Sequence, residues 1–387
     1  DKVTFVPFSM PGDVLEIEIT KGKKNYNEGK IVKIIKPAKN RVAPPCPYFG
    51  VCGGCTYQML HYEESILEKQ NNVINYFKKN GFLIKPNIIK NDNPYNYRNK
   101  ITLKIVNKKV GYFKNNSHDI LEINNCLLAS NKINEVIKLI PSLNTVNGEV
   151  IIRSSYKDEI LIIISTNDNV VLSKIKDIKN LKGIILNNKT IYKDNYFLEE
   201  VNGIKYNVTY DAFFQVNRLV CAKMFKLTQD FVDESDLVLD LYSGVGALGL
   251  SAAKKAKEVV GIEINKNAVD NANRNAILNN LINAKFIYSD AGSIKDLNLN
   301  FNKLIVDPPR AGLSINTINF INKRLPEEIM YISCDYHTQV RDLKLLDNYE
   351  IIDSYVCDLF SYTYHIECIV RLRLKKWGKY KNESIRN

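Results

Sequence analysis

From about residue 220 the chain alternates short apolar runs with amphipathic stretches, and this alternation limits the folds open to it. Candidate strands fall at 237–242, 259–263, 285–288, 304–307, 330–333, 351–356 and 366–374. Helical stretches separate the first six, and only a short turn joins the last two. Strands that alternate with helices pair in parallel and are covered on both faces, which predicts a doubly wound α/β sheet. The closing hairpin predicts a seventh strand that runs antiparallel.

The preceding half is organised differently. Residues 1–42 read as a small β unit, with strands over 13–20 and 30–35 joined through a Lys/Asn/Gly turn. A linker rich in proline, residues 37–45, leads into a cysteine-bearing region. Residues 43–215 mix a helix over 62–80 with strands over 101–106, 150–154 and 159–165, an α+β pattern. The α/β domain then covers 216–374, and 375–387 form a basic tail. At 387 residues with 45% hydrophobic content, the chain is long enough for two or three globular domains. No apolar run reaches the ~18–20 residues of a membrane span and no secretion signal is visible. A cytoplasmic monomer is expected.

The first strand of the α/β domain runs into Asp240-Leu241-Tyr242-Ser243-Gly244-Val245-Gly246. An acidic strand end with a G-x-G turn lets a ligand approach the backbone where the next helix starts. Glu263 closes the second strand with a carboxylate placed for a ribose diol. Asp290 follows the third, within reach of an adenine edge. The third glycine of the dinucleotide fingerprint is missing, which favours S-adenosylmethionine over NAD. The fourth strand ends in Asp307-Pro308-Pro309-Arg310. Base-nitrogen methylating enzymes carry an aromatic residue after such a proline pair, and cytosine-C5 RNA methyltransferases carry a catalytic cysteine in this motif. Both are absent.

The fifth strand ends in Ser333-Cys334. A thiol at the carboxyl end of a parallel strand, beside the cofactor crevice, is placed to act as a nucleophile. Glu367 opens the seventh strand, which the sheet order brings near Cys334. At this point the sequence resembles the RNA uracil-C5 methyltransferase family, and within it the 23S rRNA (uracil-5-)-methyltransferases. The resemblance rests on Phe214-Gln215-Val216-Asn217, residues 240–246 and 307–310, Ser333-Cys334, and Asp358…Thr363…His365…Glu367. It spans essentially the whole chain. Tyr336 and Ser361 stand where the family usually has proline, and Ala247 where some members have asparagine.

The resemblance implies a seven-stranded Rossmann-like methyltransferase domain that uses S-adenosylmethionine, with an N-terminal TRAM domain, an OB-like RNA-binding barrel. It places Gln215, Tyr242, Glu263 and Asp307 around cofactor and base, beside Gly244 and Asp290 from the strand ends. The chemistry explains the residue types. Addition of a Cys334 thiolate to uracil C6 makes C5 nucleophilic enough to accept a methyl group. A base, Glu367, then removes the C5 proton. A free thiol has a pKa of about 8.5, so Cys334 needs an electropositive setting, from Arg310 or His337. A vestigial, non-catalytic RNA-binding protein with a metal-stabilised fold is the contrasting reading, and the pair Cys334 and Glu367 argues against it.

Cys46, Cys52, Cys55 and Cys126 stand apart from the other four cysteines, in the pattern C-x5-C-G-G-C with the fourth about seventy residues on. Four thiolates suit zinc or an iron–sulfur cluster, and spacing leaves both open. The resemblance favours a structural [4Fe–4S] cluster and a 23S rRNA substrate, with a T-loop uridine of tRNA as the alternative. Tyr48, Phe49, Tyr57, Tyr97 to Lys100, and Phe213-Phe214 are candidates for RNA contact.

The net charge of +12 is unevenly placed. Residues 1–45 hold nine basic and five acidic side chains, and residues 371–387 hold seven and one, leaving only +2 between them. Basic ends of this kind predict phosphate contacts that strengthen RNA affinity without reading sequence.

Overall fold

In the computed structural model, residues 2–294 and 299–375 are described. The α/β half forms the expected sheet from β1 (Leu237–Leu241), β2 (Glu258–Glu263), β3 (Ala284–Tyr288), β4 (Lys303–Val306), β5 (Glu328–Ser333), β6 (Tyr349–Cys357) and β7 (Glu367–Leu374). Their order is β3-β2-β1-β4-β5-β7-β6. The first five are mutually parallel, and β7 is antiparallel to both of its neighbours. The sheet has an eighth member that the sequence reading lacks: Asn87–Ile89 pairs in parallel with β6. Three residues carry too little pattern to be read as a strand.

The sheet is buried on both faces. Met330 and Ile332 of β5 face one hydrophobic core, and Ile329 and Tyr331 face the other. Polar caps start the helices behind the strands: Asn265 Oδ1 accepts from Ala268 N, and Ser314 Oγ from Thr317 N, both at 3.1 Å. Gly246 starts the helix Ala247–Ala253 at φ +82°, where a Cβ would lie 2.8 Å from the Phe286 ring. Only glycine combines that backbone with so close an approach.

The helix Tyr62–Lys79 docks on this same sheet. Its buried stripe is Ile66, Lys69, Val73 and Phe77, and the last two join the core beneath β4 and β5. The central region is otherwise a seven-stranded sheet. Within it Lys100–Val106 pairs antiparallel with Gly148–Ser154, which pairs in turn with Ile160–Ser165. One face of this sheet packs on the helix Asn131–Ile137. The other shares a continuous core with the hairpin Tyr196–Thr209 and the α/β sheet. Central and α/β regions therefore hold each other in place.

Where an OB-like barrel is expected, the described N-terminal residues form three strands. Val3–Phe5 pairs in parallel, and Val14–Gly22 antiparallel, with Tyr26–Lys36. The described residues form an open three-stranded sheet. Ile17 and Ile19, whose alternation with glutamates predicts an inward face, are 37% and 48% exposed. Alternation reveals the period of a strand but not whether a second layer lies opposite. Asp13 ties this sheet to the linker: its carboxylate accepts from Arg41 Nε and Nη2 at 2.9 and 2.6 Å and from Ala38 N. No helix among the described residues is long and apolar enough to cross a membrane.

Phe77 is fully buried where the helix meets the sheet. Phe77→Ala is expected to lower unfolding free energy by about 3–5 kcal/mol. Leu67→Ala, on the exposed side of the same helix, is expected to stay within about 0.5 kcal/mol. Urea denaturation followed by circular dichroism checks both.

Candidate active site

The site lies at the carboxyl ends of the parallel strands, where strand direction reverses next to β5. Ser333 pairs with Cys368, so one further step of the antiparallel register sets Cys334 opposite Glu367. Cys334 is half-buried and Glu367 is 5% exposed. Burial, and then the neighbouring Asp307, push the Glu367 carboxyl well above its ordinary range. Asp307 closes the adjacent strand end and is itself pushed up to about 7 by burial. Asp240 lies deeper and is fully buried, and burial together with Asp307 raises it as well. Three carboxyl groups thus share one strand-end region, and burial raises all three.

Arg310 is the cation that faces this cluster. It acts to lower the pKa of the Cys334 thiol, and its Nη2 lies 3.0 Å from His365 Nδ1. His365 is lowered to about 4 by burial and by Arg310, Arg98 and Lys69, so its ring is neutral and Nδ1 accepts. Of the two cations named from the sequence, His337 is engaged elsewhere. Its Nδ1 pairs with Asp335 Oδ1 at 2.8 Å, and its ring packs on Tyr76 and Tyr336. The thiol is nevertheless raised, because burial and Glu367 outweigh Arg310. The electropositive setting expected for Cys334 is therefore only partial.

The residues read as cofactor ligands flank the end of β1. Tyr242 takes a left-handed backbone, φ +64°, and its hydroxyl lies 3.1 Å from Thr317 Oγ1. Tyr242 and Asp290 border a cavity of about 490 Å³. Gly244 and Glu263 border a second, of about 210 Å³, with Phe213. Glu263 accepts from Gly244 N at 3.0 Å and Asn265 N at 2.8 Å. The Gln215 carbonyl accepts from Asn99 Nδ2, and the next residue but one, Asn217, donates to Leu359 O. The Phe214–Asn217 motif thereby joins the central sheet to the segment that leads into Glu367.

The four cysteines Cys46, Cys52, Cys55 and Cys126 line a single cavity of about 510 Å³ with Arg98 and Tyr112. Burial raises the thiols of Cys46 and Cys52, and pushes Cys55 up to about 12. Among the described residues, no three cysteine, histidine or acidic side chains converge on a point that holds a single metal ion. Of the aromatic candidates, Tyr97 and Phe214 are buried, and Phe213 is 67% exposed. Arg371 and Arg373 pair with Glu328, while residues 376–387 of the basic tail lie outside the described residues.

The sequence reading missed Lys69. A lysine on an amphipathic helix reads as solvent-facing, yet its spacing from Ile66, Val73 and Phe77 sets it on the buried stripe. Its side chain reaches the segment between β6 and β7.

Residues 61–375 match the tRNA (uracil-5-)-methyltransferase family. An RNA methyltransferase of Nanoarchaeum equitans is 34% identical over 408 residues, spanning 95% of this chain and 88% of its own length. One from Clostridium tetani is 29% identical over 415 residues, spanning 95% and 90%. The chain belongs to the tRNA (uracil-5-)-methyltransferase family. Among solved structures, Pyrococcus abyssi tRNA (uracil-54, C5)-methyltransferase in complex with S-adenosyl-L-homocysteine superposes with a TM-score of 0.81 at 24% identity. The match covers 96% of both chains, which shows a shared fold. Family membership makes this chain an RNA (uracil-5-)-methyltransferase.

Arg310 stabilises both the thiolate of Cys334 and the carboxylate of Glu367. Removing it raises both pKa values, so fewer molecules carry the Cys334 thiolate at neutral pH. Alkylation of Cys334 by iodoacetamide is expected to quicken as pH rises from 6 to 9. Arg310→Gln is expected to move that rise upward by about one pH unit, as read by mass spectrometry of the Cys334 peptide across the pH series.

Proposed function

We propose that the protein methylates C5 of a specific uridine in 23S rRNA through a covalent Cys334 adduct. The adjacency of Cys334 and Glu367 across the β5–β7 ladder carries this reading. The Cys334 thiolate adds to C6, and the C5–C6 electron pair becomes available at C5. S-adenosylmethionine supplies the methyl group that C5 accepts. Glu367 then takes the C5 proton, the C5–C6 double bond re-forms, and the thiolate leaves. Tyr242, Gly244, Glu263 and Asp290 border cavities suited to the donor, and Gln215 and Asp307 are assigned to the donor and base pocket by the family pattern. Cys334→Ala is expected to abolish both methyl transfer and trapping on 5-fluorouridine RNA. Retained methylation in that variant would overturn the assignment.

The cysteine site supports the rRNA reading through its C-x5-C-G-G-C pattern. Zinc draws four sulfurs in to about 2.3 Å from one centre. Four thiols set around a cavity of about 510 Å³ leave room for a larger group, and the family pattern of these cysteines favours [4Fe–4S]. Such a group offsets the cost of burying four thiolates, and its place there is structural. Anaerobically purified protein is expected to be brown, with broad absorbance near about 400 nm; colourless protein with stoichiometric zinc would overturn the cluster assignment.

A second reading, methylation of tRNA, is favoured by the end-to-end likeness to the Pyrococcus abyssi enzyme. Mass spectrometry of RNA from a deletion strain separates the two. Loss of 5-methyluridine from 23S fragments is expected, and loss confined to tRNA would transfer the assignment.

A further inference from the structure

The irregular segment between β6 and β7 delivers Glu367 to the site, and one buried side chain bonds it at three places along its length. Lys69 is 3% exposed. Its Nζ donates to Asp358 Oδ1 at 2.7 Å, to Phe360 O at 2.9 Å and to His365 O at 3.0 Å. An ammonium has three protons, and all three are used here. Asp358 Oδ2 accepts in turn from Tyr62 OH at 2.8 Å and Ser361 Oγ at 2.6 Å. The acceptors run from the first residue after β6 to two residues before Glu367. A segment without a strand ladder takes its shape from bonds of this kind. A buried ammonium is costly unless fully paired, and a methionine would fill the same stripe without that cost.

We propose that Lys69 is a positioning residue for uracil methylation. By fixing Asp358, Phe360 and His365 together, it aims the Glu367 carboxylate at the C5 proton of the methylated adduct. The inference rests on the roles given above to Cys334 and Glu367. Thiolate addition and methyl acceptance need no base, whereas resolution of the adduct does. In that step the C5–H electrons form the C5–C6 double bond, the C6–S bond breaks, and Glu367 keeps the proton. Loss of Lys69 therefore slows resolution and leaves adduct formation alone.

The test is single turnover of Lys69→Met on an RNA transcript that the wild-type protein methylates. Methyl incorporation is expected at near the wild-type rate, with at least tenfold slower release. The RNA then stays on the protein as a denaturant-resistant band that carries the transferred methyl group. On 5-fluorouridine RNA, which has no C5 proton to remove, trapping by variant and wild type is expected to match. Lys69→Arg, which keeps donors toward the same carbonyls, is expected to recover part of the release rate. Because Lys69→Met strands the Asp358 charge, Lys69→Met/Asp358→Asn provides a neutral second variant with the same expected band. Wild-type release in either folded variant overturns the proposal, as does an equal fall in trapping and turnover. Loss of the fold in both, read by circular dichroism, assigns Lys69 to stability and overturns it too. Failure of the wild-type protein to be trapped would instead overturn the roles of Cys334 and Glu367.

Discussion

The antiparallel pairing of β7 with β5 makes one site out of two distant stretches of chain. Without it, Cys334 ends a parallel strand with no carboxyl group set opposite it. The hairpin from β6 places β7 between β5 and β6, and Ser333 pairs with Cys368. Backbone hydrogen bonds fix that register, and a one-residue slip would send Glu367 to the other face of the sheet. The chemistry therefore depends on main-chain geometry before it depends on any side-chain contact.

Burial then sets the protonation of what the ladder brings together. Asp240, Asp307 and Glu367 are all raised by withdrawal from water, and each carboxylate disfavours the charge of its neighbours. Arg310 works in the opposite sense and is more exposed, so the desolvated acids prevail. A carboxyl raised by burial holds a proton more tightly than an exposed one, which strengthens it as a proton acceptor. The neutral ring of His365 completes this balance. It accepts from the guanidinium and adds no second positive charge.

Much of this was legible in the sequence, for physical reasons. Strands buried on both faces are apolar runs, so β1 to β7 were readable within a few residues, and sheet topology then implied the meeting of Cys334 and Glu367. Asn87–Ile89 was not readable, because three residues carry no period. How the three N-terminal strands pair was not readable, because alternation gives the period of a strand and not its partner. Arg310 was named only as one of two cations, since choosing between it and His337 needed the Asp335–His337 pair. Lys69 carried a signal, its place on an apolar stripe, but residue type argued against burial, and its partners lie nearly 300 positions away in sequence.

The segment before Glu367 also joins the two chemically distinct parts of the molecule. Lys69 holds it from the helix side, and Thr56 N and Tyr57 N, directly after Cys55, donate to Tyr362 O at 2.8 and 3.0 Å from the other. Tyr362 takes a left-handed backbone there, φ +61°, and packs in a small cluster with Tyr97, Leu128 and the flanks of Cys55 and Cys126. The cysteine loop has little regular structure of its own, so a group held by its thiols would help to fix its shape. Two amides of that loop bond the carbonyl of a residue five positions before Glu367. Under the proposed function, a structural group at the cysteines would contribute to methylation without transferring an electron, by keeping rigid one of the supports of the segment that ends at Glu367.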